Sequence, residues 1–198
     1  QGFSNYTLNA LKMPPSFWND YYQGIFRGNT LLSKIPNTSM DATLKERFIA
    51  ETKAMRAFCN FNLVRMFKNV PLIMEPLTST NIYDVKQATP EAVYAQVEKD
   101  LTEAIAVLPT SVDPLEEAGR FTKGAAQALL GKVYLYENKK DLAAAQFAEV
   151  NGATPGAPNQ YGNRLLTNFS DLWVVANKFN AESLLEVGHS QAGNSDWG

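Results

Sequence analysis

The chain has 198 residues, of which 45% are hydrophobic and 19% charged, and its formal net charge is −2. This composition is typical of a globular protein that buries one sizeable core, and it argues against disorder. The charges of both signs are interspersed, so no basic patch is present to attract nucleic acid. No apolar run approaches the roughly 20 residues that cross a bilayer. The single cysteine, Cys59, has no partner for a disulfide and is expected to pack as a small hydrophobic residue.

The first predicted helix follows the pair Pro14 and Pro15, with Ser16 as its N-cap. Apolar residues then recur at steps of three or four, which is the period of an amphipathic helix. The pattern ends at Ile35, because Pro36 cannot continue the helix. The sequence therefore predicts a helix over residues 16–35.

A long central helix is predicted over residues 43–67, with Thr43 and Glu46 in the capping-box arrangement at its start. From Ala54 onward, apolar residues occupy nearly every face of this helix. A helix of that kind must be covered by other elements on all sides. Arg56 lies in the apolar half and would need a partner if it is buried. Residues 70–73 follow as an extended edge segment, because Pro71 lacks a backbone donor.

A third helix is predicted over residues 90–108, with Thr89 as its N-cap and Pro90 at its first position. Residues 122–155 then reproduce the spacing of the 34-residue tetratricopeptide repeat, a helix-turn-helix unit. The agreeing positions are Leu130, Gly131, Tyr134, Ala143, Phe147 and Pro155, whereas Gln127 stands where the repeat has tryptophan. A lone repeat cannot bury its apolar face, so it needs stacked neighbours. We expect the helix pairs 16–35 with 43–67, and 90–108 with 122–137, to supply them.

After Asn151 the composition shifts to Gly, Pro, Asn and Tyr, in a loop that extends through Asn168. A loop of this length in a compact domain is often functional. Aromatic and amide residues alternate through this loop and the segment after it. A short strand is predicted over residues 184–188, with His189 at its end.

No motif for catalysis stands out. The chain has 20 acidic residues, and no arrangement among them singles out the opposed pair that glycoside hydrolysis requires. Cys59 and His189 are far apart and have no motif context for nucleophilic catalysis. The sequence also lacks the CxxC, HExxH and Asp-rich motifs of metal sites and the glycine-rich loops of phosphate sites. We therefore expect no enzyme activity, no metal and no cofactor.

The segment RFIAETKAMRAFCNFNLVRMFKNVPLI resembles the signature of the SusD/RagB family of surface lipoproteins. Further blocks that match the family, in the same order and at the same spacing, lie at residues 18–32, 89–109, 119–136 and 180–187. The resemblance covers nearly all of the chain. Two departures are Cys59, where an aromatic residue is expected, and Lys68 with Asn69 in place of a glycine-containing turn.

This resemblance implies an all-α fold, in which tetratricopeptide-like helix pairs carry long irregular loops. It further implies a lipoprotein on the outer face of the outer membrane, which captures glycans and docks onto a TonB-dependent transporter. The membrane contact would be only through a lipid anchor outside this segment. Family members are much longer, so residues 1–198 are expected to be part of one larger domain.

The family's ligand residues lie in variable loops, so none can be transferred to this chain by motif. A flat sugar face stacks on an aromatic ring while nearby amides bond its hydroxyl groups. The candidates for glycan contact are Trp173, Tyr161 and Trp197, with Asn163 and Asn177 as hydrogen-bond partners. For Trp173, core packing is an equally open alternative. A tetratricopeptide adaptor that binds only protein, and a family member that captures peptides, remain alternative functions.

Overall fold

The computed structural model describes residues 14–113, 116–152, 154 and 156–187. Within those ranges the scaffold has the α-helices α1 Ser16–Lys34, α2 Ala42–Phe67, α3 Pro90–Ile105, α4 Lys123–Tyr136 and α5 Lys140–Asn151. Short 3-10 helices lie in the connections, at Ile35–Asn37, Ile82–Asp84, Phe169–Trp173 and Val175–Asn177. The described residues contain no β-strand, which confirms the predicted all-α class. None of the helices in this part of the chain combines the length and the apolar character that a bilayer-spanning segment needs.

α2 is the central helix, as predicted, since α1, α3 and α4 all pack against it. Its second half is buried on nearly every face, with Phe61 and Leu63 among the largest enclosed side chains. Cys59 is also buried, and a Cβ atom added to Gly24 of α1 would lie 2.9 Å from its Sγ atom. Cys59 thus packs as a small hydrophobic residue at the contact between α1 and α2.

The structure differs from the sequence predictions at two helix starts. The capping box at Thr43 and Glu46 was wrong, because the Asp41 carboxylate accepts the Leu44 amide at 2.9 Å and Thr43 lies inside the first turn. A carboxylate caps a helix at least as well as a threonine hydroxyl, and its charge favours the positive helix end. Ser16 is the first residue of α1 and not its cap, since Pro15 precedes it without a side-chain cap. α3 starts as predicted, with Thr89 Oγ1 accepting the Ala92 amide at 3.3 Å.

The helices pack in chain order, α1 on α2, α2 on α3, α3 on α4 and α4 on α5. α4 and α5 are the two helices of the predicted repeat, and they are in tight contact at Gly131. A Cβ atom at Gly131 would lie 2.7 Å from Cε1 of Phe147, so the ring occupies the space that the missing side chain leaves. Ala143 of α5 is also buried. Pro155, the last position of the repeat pattern, lies outside the described residues.

A buried polar network joins α1, α2 and α3. Arg56 is only 5% exposed, and its Nε and Nη2 atoms each donate to the Asp100 carboxylate at 2.8 Å. Its Nη1 atom donates to Oδ1 of Asn29 at 2.9 Å, and Asn29 in turn donates to the carbonyl of Ile73 at 2.9 Å. The partner that the sequence required for Arg56 is therefore Asp100, and the network also holds the extended segment after α2.

The short strand predicted over residues 184–188 is absent from its described part, 184–187. A strand needs a neighbouring strand to satisfy its backbone groups. Here the backbone just before this segment bonds to the loop instead, since the carbonyls of Ala181 and Ser183 both accept the side-chain amide of Asn163. His189 lies outside the described residues.

Candidate functional site

The loop after α5 is organised by Asn159, which is buried. Its side-chain oxygen accepts the backbone amides of Tyr161 and Asn163, each at 2.9 Å, and its side-chain nitrogen donates to the carbonyl of Val150. Asparagine side chains commonly fix turns in this way, by replacing backbone partners. Asn159 therefore connects the turn at residues 159–163 to the end of α5.

Tyr161 is half-buried against the start of α4. A Cβ atom at Gly124 would lie 3.0 Å from Cδ2 of Tyr161, so the ring rests on the backbone of the helix. The Tyr161 hydroxyl donates to Oε1 of Gln127. Burial raises the pKa of Tyr161, with a further rise from Glu149, so the phenol stays a neutral donor. This predicted glycan contact is thus also part of the scaffold.

Asn163 joins two segments of the loop. Its side-chain nitrogen lies 3.0 Å from the carbonyl of Ser183 and 3.3 Å from that of Ala181. Tyr161 and Asn163 both line a cavity of about 220 Å³ between the loop before α4 and residues 179–186. We call this cavity the inner pocket.

Trp173 is strongly exposed, at 76%, and so is Phe169, at 73%. Their rings pack edge to face, with centroids 6.1 Å apart and planes at 72°. Phe169 and Trp173, which we call the ring surface, are the ends of one short 3-10 helix. Within the described part of the chain, the Trp173 ring lies outside the hydrophobic core.

A second cavity, of about 500 Å³, adjoins Trp173 and is lined by Asn177, Lys178 and Asn180 among others. We call it the outer depression. Asn177 donates to the carbonyl of Asp171 at 3.0 Å, and Asn180 donates to the carbonyl of Asn177 at 2.9 Å. These side-chain hydrogen bonds fix the backbone that carries Trp173, so the ring is presented on an ordered turn.

The predicted site residues therefore form two neighbouring groups. Trp173 and Asn177 lie together at the outer depression, and Tyr161 and Asn163 lie together at the inner pocket. Trp197 lies outside the described residues. Sequence reasoning missed Phe169 as the partner of Trp173, although a second aromatic residue four positions earlier was a usable signal.

Cys59 and Glu137 both have raised pKa values. Burial raises the pKa of the Cys59 thiol to about 11, which makes it a poor nucleophile. The pKa of Glu137 is raised to about 7, mainly by burial and also by a hydrogen bond with Glu98. Glu137 lies just after α4 and lines neither cavity. Its Oε1 atom forms an ion pair with Nζ of Lys139 at 3.0 Å. No cluster of three or more His, Cys, Asp or Glu side chains suited to a metal ion occurs in the described ranges.

The described part of the chain is thus a helical scaffold whose ordered loop carries exposed rings and amide-lined cavities. A sequence model of the SusD-like family, described as starch-binding and associating with the outer membrane, matches residues 4–135. The chain therefore belongs to the SusD-like family.

Relatives of known structure agree with this assignment. A laminarin-binding SusD-like protein is 55% identical, with a TM-score of 0.91 over 100% of this chain and 43% of that chain. A SusD-like protein of Bacteroides fragilis is 26% identical, with a TM-score of 0.79 over 90% of this chain and 34% of its own.

Among curated relatives, SusD-like protein P25 of Formosa agariphila is 27% identical over 187 residues, which are 90% of this chain and 34% of the relative. A SusD-like protein of Bacteroides ovatus is 28% identical over 86% of this chain and 32% of its own length. The chain thus spans about a third of the length of these curated relatives.

Proposed function

We propose that the protein containing this chain is a cell-surface glycan-binding protein that delivers oligosaccharides to a TonB-dependent transporter in the outer membrane. Membership of a family described as starch-binding and associating with the outer membrane supports this proposal. The 55% identity to a laminarin-binding relative makes laminarin the first ligand to test. Attachment to the membrane would be through a lipid anchor outside this segment.

The observation that carries the proposal is the exposed ring surface beside the outer depression. Rings that are 73% and 76% exposed leave a large apolar area in water, which a ligand with an apolar face would cover. A sugar ring has such a face and a rim of hydroxyl groups. The rim would meet Asn177, Lys178 and Asn180 in the outer depression, which gives the hydrogen-bonding groups that orient a ligand.

The proposed mechanism is binding and not chemistry. The carboxylates near the cavities hold the loop together: Glu182 Oε2 accepts the amide of Leu166 and Glu186 Oε1 accepts that of Phe179, each at 3.0 Å. A general acid needs a proton at working pH and a free path to the ligand. Carboxylates that accept backbone amides are better suited to fixing the loop.

Affinity electrophoresis and calorimetry of the full-length protein with laminarin and starch test the proposal. Replacing Trp173 by Ala should weaken glycan binding at least about tenfold, since exposed aromatic anchors dominate binding energies of this kind. The melting temperature should not change, because the ring is 76% exposed in the described part of the chain. Tyr83→Ala is the matched control, as Tyr83 is 90% exposed on a different loop and lines neither cavity.

Lack of retardation by any polysaccharide would contradict the proposal. Capture of peptides by the full-length protein, lost in Trp173→Ala, would instead favour the peptide-binding alternative. Binding of a protein partner through α4 and α5, with Trp173→Ala behaving as wild type, would favour the adaptor.

A further inference from the structure

The outer depression and the inner pocket are neighbours. Asn180, Ser183 and Glu186 line both of them, so one stretch of chain forms a common wall. Trp173 also lines the outer depression, and Ser111, Arg120 and Tyr161 also line the inner pocket. The two cavities therefore adjoin at this wall, close enough for one extended ligand to contact both.

The helices hold two of the residues that line the inner pocket, Arg120 and Tyr161. Arg120 donates from Nε to the Glu51 carboxylate of α2 at 3.1 Å, and its guanidinium lies 5.2 Å from the centroid of the Phe48 ring. The Tyr161 ring packs on Gly124 of α4, and its hydroxyl donates to Gln127 of the same helix. The pocket thus has walls that the scaffold keeps in place, which reduces the entropy lost on binding.

Phe179 lines the inner pocket, and its chain neighbours Lys178 and Asn180 line the outer depression. Its φ of 55° is in the left-handed region, which is strained for a bulky residue and tends to occur at functional sites. The Glu186 carboxylate accepts its amide at 3.0 Å. On the other side, the carbonyl of Glu186 lies against Gly119, where a Cβ atom would come within 3.1 Å. Glu186 therefore holds Phe179 in place and connects it to the loop before α4.

We propose that the two cavities form one cleft, in which the ring surface holds inner units of a glycan chain and the inner pocket takes its terminal sugar unit. Glu186 is the positioning residue of this cleft. The inference rests on the proposed function. At about 220 Å³ the inner pocket is smaller than the roughly 300–1,000 Å³ of a site for a whole ligand, so it suits one end of a longer one.

Calorimetry of the full-length protein with short laminarin oligosaccharides and with polymeric laminarin tests the cleft. Ser111 is exposed and lines the inner pocket, so Ser111→Trp fills the pocket without disturbing the core. It should weaken binding of the oligosaccharides about tenfold and affect the polymer, which has few chain ends, much less. Ser79→Trp is the matched control, because Ser79 is exposed on another loop and lines neither cavity.

Glu186→Ala should give the same selective loss for oligosaccharides, whereas Glu186→Gln should retain binding because its amide oxygen still accepts the Phe179 amide. An equal loss for oligosaccharides and polymer in Glu186→Ala would overturn the positioning role. If Ser111→Trp binds oligosaccharides as wild type does while Trp173→Ala is weakened, the cleft is overturned and the proposed function stands. If the wild-type protein binds no glycan, both proposals fail.

Discussion

The contact between Gly131 and Phe147 permits a quantitative test of how α4 and α5 pack. In Gly131→Ala the new methyl group would lie 2.7 Å from Cε1 and 2.9 Å from Cδ1 of the ring, both shorter than a normal contact. Alanine favours a helix over glycine by about 0.8–1.0 kcal/mol. Overpacking costs about 1–3 kcal/mol, because the half-buried Phe147 ring would have to shift to make room for the methyl group. We expect a net loss of about 1 kcal/mol in the free energy of unfolding.

Urea unfolding of the full-length protein measures this loss, and Gly28→Ala is its control. At Gly28 of α1 the added methyl group would lie 3.3 Å from Cγ2 of Thr52, so helix propensity should win and leave the protein as stable or slightly more stable. Adding Phe147→Leu to Gly131→Ala should recover part of the loss, with a coupling energy of at least about 0.5 kcal/mol. A Gly131→Ala protein as stable as wild type would refute the close approach.

Two further predictions concern buried charges. Arg56→Met should lower the free energy of unfolding by about 3–5 kcal/mol, because it leaves the Asp100 carboxylate, which is 1% exposed, without its cation. Urea unfolding would measure this loss. Adding Asp100→Leu to Arg56→Met should restore most of the lost stability. Glu137→Gln should stabilise the protein at about pH 8 and have little effect at about pH 5. Since the folded pKa of Glu137 is raised to about 7, folding binds a proton and wild-type stability falls as pH rises from about 4.5 to about 7. A benefit of Glu137→Gln that is the same at both values of pH would contradict this assignment.

The helical scaffold could be predicted from the sequence because its signals are local and repeated. Each of these signals predicts the structure of only one or two helical turns. They are the apolar periodicity of α1 to α3, the Thr89 cap, and the spacing of Gly131 and Phe147. The start of α2 could not be fixed in the same way. Asp41 and Thr43 are both good caps two residues apart, and the local sequence does not decide between them; in the structure Asp41 is the cap.

The candidate site was predictable only as a list of residue types. Whether an aromatic residue in a loop is exposed depends on contacts with distant residues, which composition does not reveal. Trp173 and Tyr161 are of similar chemical kind, yet Trp173 is strongly exposed and Tyr161 rests on α4. The role of Glu186 was equally hidden, since it depends on the left-handed backbone at Phe179 seven residues away.

One departure from the repeat pattern connects the scaffold to the site. The tetratricopeptide repeat has tryptophan where this chain has Gln127, which is buried and accepts the hydroxyl of Tyr161. The Tyr161 ring comes from the loop after α5 and covers α4 at Gly124, one turn before Gln127. A tryptophan at position 127 would remove the acceptor and compete for the same space. The loss of the repeat consensus at this position is therefore what allows the loop to dock on α4, and that docking sets one wall of the cleft in which we place the glycan.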